Sequence, residues 1–284
     1  MLKQALNSGI IPRTANGLKT GFKACFYKMA ELSSGTLADT FGNGPNFTGQ
    51  GSLTTDATGG ITPATPNSTK YATAAANAYL LDLWKMSGTF GEVIFAFDYI
   101  NTLSNLVATN QIFTAGRQSA SIDAGVVYFQ ITTAEKLLIG ARGSVAGGSA
   151  FTFTNTASTP FQTTSRVTAL VSIRLNSAIE AAVDMHFRTG LTTYSSSGTL
   201  AIDSGVGAPG YGNGTDDGYT MFANKTGAST YASYLNGGAA EAATIRNMLM
   251  LKTPTYDPSL ALSILLDMSN NPGEIPRRIL EGSA

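Results

Sequence analysis

The 284-residue chain carries 18 Lys+Arg against 18 Asp+Glu, so its formal net charge is zero, and only 13% of its residues are charged. That balance excludes a nucleic-acid binder, which needs a basic field to displace counterions from phosphates. A 43% hydrophobic content is enough for a substantial core, yet no run reaches the roughly 20 apolar residues of a membrane-spanning helix, so no membrane insertion is expected.

The N-terminal MLKQALNSGIIPRT lacks the unbroken apolar run of a signal peptide, so synthesis in a host cytoplasm is expected. Residues 1–21 read as an arm. Leu2, Leu6, Ile10 and Ile11 are apolar, while Gly9, Pro12, Asn16 and Gly17 break any regular pattern. Such an arm either caps the domain's own core or packs on a neighbouring subunit, and both readings stay open. From Phe22 a two-residue period sets in, with Phe22, Ala24 and Phe26 alternating with Lys23, Cys25 and Tyr27. Cys25 is the one cysteine, so a disulfide framework is impossible and the residue reads as a small buried apolar group. Gly42, Asn43, Gly44 and Asn46 then mark a long turn where positive φ is cheap. The stretch from Thr54 to Thr73, with Pro63 and Pro66, reads as a surface loop. Tyr79, Leu80, Leu81, Leu83 and Trp84 form an apolar cluster. Trp84, the single tryptophan, reads either as core or as a sugar-stacking platform.

Strands follow. Val93 to Tyr99 has large apolar residues at odd positions, and Gln111 to Gly116 is a second extended run. Residues 125–132 and 135–142 form a predicted hairpin, with Val127, Phe129 and Ile131 facing Leu137, Ile139 and Ala141. Phe151 and Phe153 mark a further strand. Between Arg166 and Arg188, Val167, Ala169, Val171 and Ile173 alternate with polar residues, and Ile179, Ala181, Val183, Met185 and Phe187 repeat the pattern. Pairing the two apolar faces predicts Ile173 opposite Ala181, Val171 opposite Val183 and Val167 opposite Phe187. The loop would then be Asn176-Ser177-Ala178, with Arg174 opposite Glu180. Residues 191–242 read as loop-rich. There Asp216 and Asp217, in a Gly-rich run, are candidate Ca²⁺ ligands or plain turn formers. Tyr211, Tyr219, Tyr231 and Tyr234 are candidate glycan-stacking residues. At the end, Asp257 reads as a helix N-cap with Pro258 at the first helical position, and Leu260, Ile264 and Met268 recur at helical spacing. A second short helix is expected after Asn271.

Leu37, Ala38, Asp39, Gly42, Asn43 and Gly44 resemble the LADxSGNG turn of LamG-like domains, the laminin-G branch of the concanavalin A-like lectin/glucanase superfamily, with Phe41 in place of Ser. Val93–Tyr99, the QIFTAG run, the Arg166–Arg188 hairpin and the closing strand and helix resemble later motifs of the same family, over residues 22–270. The family's Trp-His before that hairpin is missing, and Thr189-Gly190 replaces its terminal Asn-Gly. The resemblance implies an all-β, two-sheet antiparallel jelly-roll sandwich with a short C-terminal helix, between the arm (1–21) and a C-terminal tail (271–284).

Catalysis finds little support. The superfamily's glucanases carry paired carboxylates on one strand, and no such motif is present. Glu180 and Asp184 share a strand face at another spacing. His186 is the one histidine, and no Gly-x-Ser-x-Gly elbow accompanies it; it reads as a solvent-facing neighbour of Asp184. No cofactor is implied beyond the Ca²⁺ reading. The expected function is a non-catalytic bacteriophage virion protein that decorates a head or tail and adheres to host-surface glycans. Its expected partners are other virion proteins, further copies of itself and a cell-surface glycan. A stand-alone carbohydrate-binding module and a diverged glycosidase or depolymerase are the alternatives.

Overall fold

The computed structural model describes residues 17–51, 53–61, 70–75, 77–84, 91–101, 106, 108–116, 127–141, 151–155, 160–161, 164–177, 180–201, 218–225, 231–232 and 243–280. Two antiparallel sheets pack face to face as a β-sandwich jelly roll. With strands numbered along the chain, the six-stranded sheet has the order β1 (Lys23–Lys28), β16 (Ala243–Thr253), β5 (Glu92–Asn101), β10 (Val167–Ser177), β11 (Glu180–Thr189), β12 (Thr192–Ala201). The eight-stranded sheet runs β2 (Thr36–Leu37), β3 (Phe47–Gln50), β4 (Tyr71–Ala74), β13 (Tyr219–Met221), β6 (Asn110–Ala115), β7 (Val127–Ile131), β8 (Leu137–Ala141), β9 (Phe151–Thr154). A two-stranded ribbon of β14 (Asn224–Lys225) and β15 (Tyr231–Ala232) follows β13.

Aromatic rings fill the space between the sheets. Phe95 of β5 lies 4.2 Å from Phe129 of β7, centroid to centroid. The helix α1 (Ala78–Trp84) drives Trp84 into this cluster, 5.4 Å from Phe113 and 5.5 Å from Phe129. Offset and tilted ring pairs of this kind each add about 0.5–1.5 kcal/mol beyond the area they bury. The hairpin of β7 and β8 has the predicted facing pairs, Val127 with Ala141, Phe129 with Ile139 and Ile131 with Leu137.

A second core lies on the far side of the six-stranded sheet. There α2 (Leu260–Asn270) buries Leu260, Ile264 and Met268 against Ile94, Ala96, Leu170, Leu249 and Leu251. Strands β1, β5 and β16 are therefore buried on both faces along most of their length. In β1, Cys25 and Tyr27 face the main core while Ala24 and Phe26 face the helix. Arg166 fastens the helix to the sheet. Its guanidinium donates to the buried Asp98 carboxylate at 2.8 Å and to the carbonyls of Met268 and Ser269 at 2.6 and 2.9 Å, in the last turn of α2. Thr168 and Asn247 complete the Asp98 shell at 2.7 and 2.8 Å. A buried charge so fully hydrogen-bonded is costly to orphan, by about 3–5 kcal/mol.

The Asp39 turn is a clasp on β1. Its Oδ1 accepts the Phe26 and Phe41 amides at 2.8 and 3.2 Å, and its Oδ2 accepts those of Asn43 and Gly44 at 2.9 and 2.8 Å. Gly44 is required there, because a Cβ would sit 2.5 Å from Cys25 Sγ and 2.8 Å from the Tyr27 hydroxyl. Burial raises the Cys25 thiol well above its ordinary pKa, with the neighbouring Asp39 charge adding to the effect, so the thiol stays protonated and inert.

Several expectations change. In the β10–β11 hairpin Ile173 pairs with Val183, Val171 with Met185 and Val167 with Thr189, two residues from the predicted register. The inward faces are unchanged, since a slip of two keeps every side chain on its side. A bulge beyond Leu175 lets the ladder run on to Ser177 opposite Glu180, and Arg174 pairs with Asp184 instead of Glu180. Helix α2 starts at Leu260. Asp257 precedes it in an Asx turn, accepting the Ser259 amide at 2.9 Å and hydroxyl at 2.8 Å. The residues after Asn270 pack back on the domain. A 3-10 turn, Arg277–Ile279, buries Ile279 in the second core, and Leu280 bridges Leu18. Strands β12 and β4 stand where loop was expected.

Candidate functional site

The outer face of the eight-stranded sheet carries a row of side chains that the register aligns strand by strand. Across it run Thr36, Thr48, Thr73, Thr220, Thr114, Tyr128, Gly140 and Thr152. Directly opposed residues in antiparallel strands project to one face, so the row is a ladder of hydroxyls. Gly140 is fitted to its neighbour: a Cβ there would lie 1.9 Å from Tyr128 Cζ, so the Tyr128 ring rests on bare backbone. The middle of the row is buried, and Thr48 and Thr152 near its ends are exposed. Beside the middle, the buried Gln111 donates to Thr114 Oγ1 at 2.9 Å and to the Phe113 and Phe129 carbonyls at 3.2 Å each. Among the described residues the buried Gln111 Oε1 and Thr220 Oγ1 have no hydrogen-bond partner.

At the β3–β4 end the row opens beside a pair of tyrosines. Tyr71 follows the two-residue period from Thr73 to the same face and stands opposite Gln50. The Tyr231 ring from β15 lies on it, centroids 4.3 Å apart and planes tilted by 31°. Both rings are half-buried, with Gln50 and Thr73 half-buried and Thr48 exposed beside them. Flat apolar faces next to convergent hydroxyl and amide groups suit a ligand with one apolar face and a polar rim, the character of a pyranose ring.

Of the aromatic residues singled out in the sequence, Tyr231 joins this pair. Tyr219 is a correction, and for Trp84 the core reading holds over the sugar-stacking one, since both are buried in the main core. Trp84 packs among Phe95, Phe113 and Phe129, and Tyr219 stacks on Phe113. A ring closed in by other rings cannot meet a sugar. Tyr71 was missed because it ended a stretch read as loop, and no local signal ties it to a tyrosine 160 residues further on. Tyr211, Tyr234, Asp216, Asp217 and the arm residues Leu2, Leu6, Ile10 and Ile11 lie outside the described residues. Among the described residues no group of three or more His, Cys, Asp or Glu could hold a metal ion.

Two titratable clusters lie on the opposite sheet. Burial raises the Glu92 carboxyl to about 7, against the opposing pull of the Ser172 hydroxyl, which donates to Oε1, and of the Arg174 charge. A shift of this kind often marks an acid–base catalyst. Glu92 is nevertheless fully buried, at the strand start where Gly91 lies against the Thr255 backbone. Arg174 is engaged with Asp184, and its guanidinium lies 4.1 Å from the centre of the Tyr256 ring. His186 Nδ1 is 2.8 Å from Ser195 Oγ, and burial lowers its pKa against the raising effect of Asp184. Glu92 is closed to substrate, while His186 sits on a sheet face whose one nearby carboxylate, Asp184, is held by Arg174.

No protein-family model matches the chain, and no curated protein matches it. Solved structures do resemble it. The binding domain of botulinum neurotoxin serotype C1 superposes with a TM-score of 0.52 at 11% identity, covering 86% of this chain and 51% of that one. A structure described as "Cell entry of botulinum neurotoxin type C is dependent upon interaction with two ganglioside molecules" gives 0.52 at 13% identity with the same coverage, 86% and 51%. The CBM40 of Ruminococcus gnavus IT-sialidase bound to alpha2,3 sialyllactose gives 0.41 at 10% identity, covering 67% and 88%. The likeness is one of fold, and the chain spans about half the length of the toxin domains it matches.

Proposed function

We propose that the chain is a non-catalytic β-sandwich module that binds a glycan on the outer face of its eight-stranded sheet. The observation that carries this reading is the half-buried Tyr71–Tyr231 pair at the open end of the hydroxyl ladder. The rings offer stacking area at low entropic cost, and Thr48, Gln50 and Thr73 supply hydrogen bonds around it. The fold neighbours support the reading, since the toxin structures are of binding domains and one concerns ganglioside molecules. The wider setting we propose is the surface of a bacteriophage virion. Low charge and a Gly-, Thr- and Ser-rich sequence support it, as does the apolar stretch within residues 1–16, which would attach the module. A glycan array followed by titration calorimetry tests the binding. Tyr231→Ala is expected to weaken the selected glycan about tenfold, the loss of one stacking contact of roughly 1.4 kcal/mol, while the protein stays folded with a melting temperature lowered only by the loss of the Tyr71–Tyr231 ring pair. An array with no hit, or full affinity in Tyr231→Ala, defeats the reading. Release of reducing ends from a bound glycan defeats its non-catalytic part.

A further inference from the structure

We infer that the outer face of the β11–β12 hairpin is a second binding site, in which Arg188 takes the carboxylate of an acidic sugar while Thr193, Ser195 and His186 take its hydroxyls. The register brings these four side chains together. His186 stands opposite Ser195, and Arg188 opposite Thr193. Phe187, between the two β11 residues, is buried in the main core, so His186 and Arg188 project to the other side of the sheet. Opposed Cβ atoms lie about 5 Å apart and the same-face step along a strand is about 7 Å, so the four outline a patch on the scale of one sugar ring. Thr193 and Ser195 are exposed, and His186 and Arg188 are half-buried.

Arg188 is the residue that calls for a ligand. Its Nε is buried and, among the described residues, has no hydrogen-bond partner. The carboxylates around it are already engaged. Asp98 is held by Arg166, Asp184 by Arg174, and Asp267 of α2 by Arg277. Glu180, at the far end of β11, accepts from the Asn176 amide group at 3.1 Å. A guanidinium left half-buried without an acceptor is costly, and its planar fork of donors matches a carboxylate. The neighbouring hydroxyls suit the rest of a sugar. His186 Nδ1 lies 2.8 Å from Ser195 Oγ, and in either tautomer the neutral pair retains one donor and one acceptor for a polyol. The Thr193 hydroxyl adds another of each. None of these residues belongs to the Tyr71–Tyr231 pair on the opposite sheet, so the two sites stand or fall separately.

The Arg188 Nε–H signal in a proton–nitrogen correlation spectrum of the full chain reports on the site directly, and R188K, which lacks that nitrogen, identifies the signal. The probes are sodium D-glucuronate and sodium D-galacturonate, with methyl β-D-glucopyranoside and sodium sulfate as controls. At least one of the two acids is expected to shift the signal saturably, with an affinity at least about tenfold above that for sulfate, and the neutral glucoside should leave it unmoved. Followed at the Thr193 and Ser195 amides, R188Q should weaken the acidic sugar by about tenfold or more, and T193A/S195A by about fivefold. Tyr231→Ala should leave this titration unchanged. No saturable shift with either acid overturns the inference, as does an equal response to the glucoside. Sulfate bound as tightly as the acid overturns the sugar assignment, because the site then captures a bare anion. Full affinity in R188Q, or loss of the shift in Tyr231→Ala, places the binding elsewhere and overturns the inference too. If R188Q does not fold, T193A/S195A decides, and unchanged affinity there overturns the inference.

Discussion

The six-stranded sheet ends in two edges that solve the same problem oppositely. At β1 the outward backbone groups are taken up by neighbouring segments. The Phe26 amide goes to Asp39, its carbonyl accepts the Thr40 amide at 2.8 Å, and the Ala24 amide donates to the Tyr79 hydroxyl at 2.8 Å. At β12, among the described residues, the sheet stops on a row of exposed serines and threonines. Closing an edge from within yields stability and forbids further pairing. An uncharged strand at the end of a sheet keeps its pairing capacity for a partner. The difference teaches that side-chain chemistry beside an edge, more than the strand itself, decides whether that edge is structural or available.

The comparison is broken most severely at Asp39. Asp39→Ala leaves four amides without their acceptor, three of them serving the clasp itself. Each buried orphan costs about 1–3 kcal/mol, so urea unfolding should show a loss of at least about 3 kcal/mol. Asp39→Asn, which keeps one carbonyl oxygen, should fall between wild type and alanine. A loss below 1 kcal/mol in the alanine variant would mean that the edge is closed by packing alone.

Between the edges, Glu92 on β5 tests how dry the middle of the sheet is. Its carboxyl is raised from 4.5 to about 7 by burial, so the folded state keeps a proton that the unfolded chain has lost. The stability it contributes is full below about pH 4.5, declines as pH rises towards 7, and is flat above. Over that window the difference is on the order of 3 kcal/mol. Glu92→Gln keeps the shape without the titration, so the decline should be shallower in the variant. Parallel stability–pH curves for the two proteins would place the titration elsewhere.

The smallest effect is expected at the open edge. Thr199→Lys, at an exposed position of β12, should change monomer stability by no more than about 0.5 kcal/mol, as exposed substitutions do. A clear destabilisation would show that β12 is supported as tightly as β1.

Much of this architecture was legible in the sequence, and the exceptions share a cause. The β7–β8 hairpin was readable because one face is apolar and the turn between is short, so period and register follow from neighbours in the chain. The α2 spacing was readable for the same reason. In β10 and β11 alternation set the faces but could not separate registers two residues apart, which bury the same side chains; the ladder settled on the one that carries β10 past Leu175 to Ser177. The hydroxyl-rich β12 has no apolar alternation to announce a strand, because its outer face meets solvent.

What the sequence determined by itself is the β-sandwich class, the inward faces, the helical period of α2 and the Asp39 turn, since each depends on residues close together in the chain. Only the tertiary structure decided which aromatic rings are enclosed and which are open. Trp84 disappears between two sheets, and Tyr71 and Tyr231 meet at the rim across most of the domain's length. The reason is physical. Local periodicity reports which side of a strand prefers to leave water, while exposure is settled by what packs on that side from elsewhere in the chain.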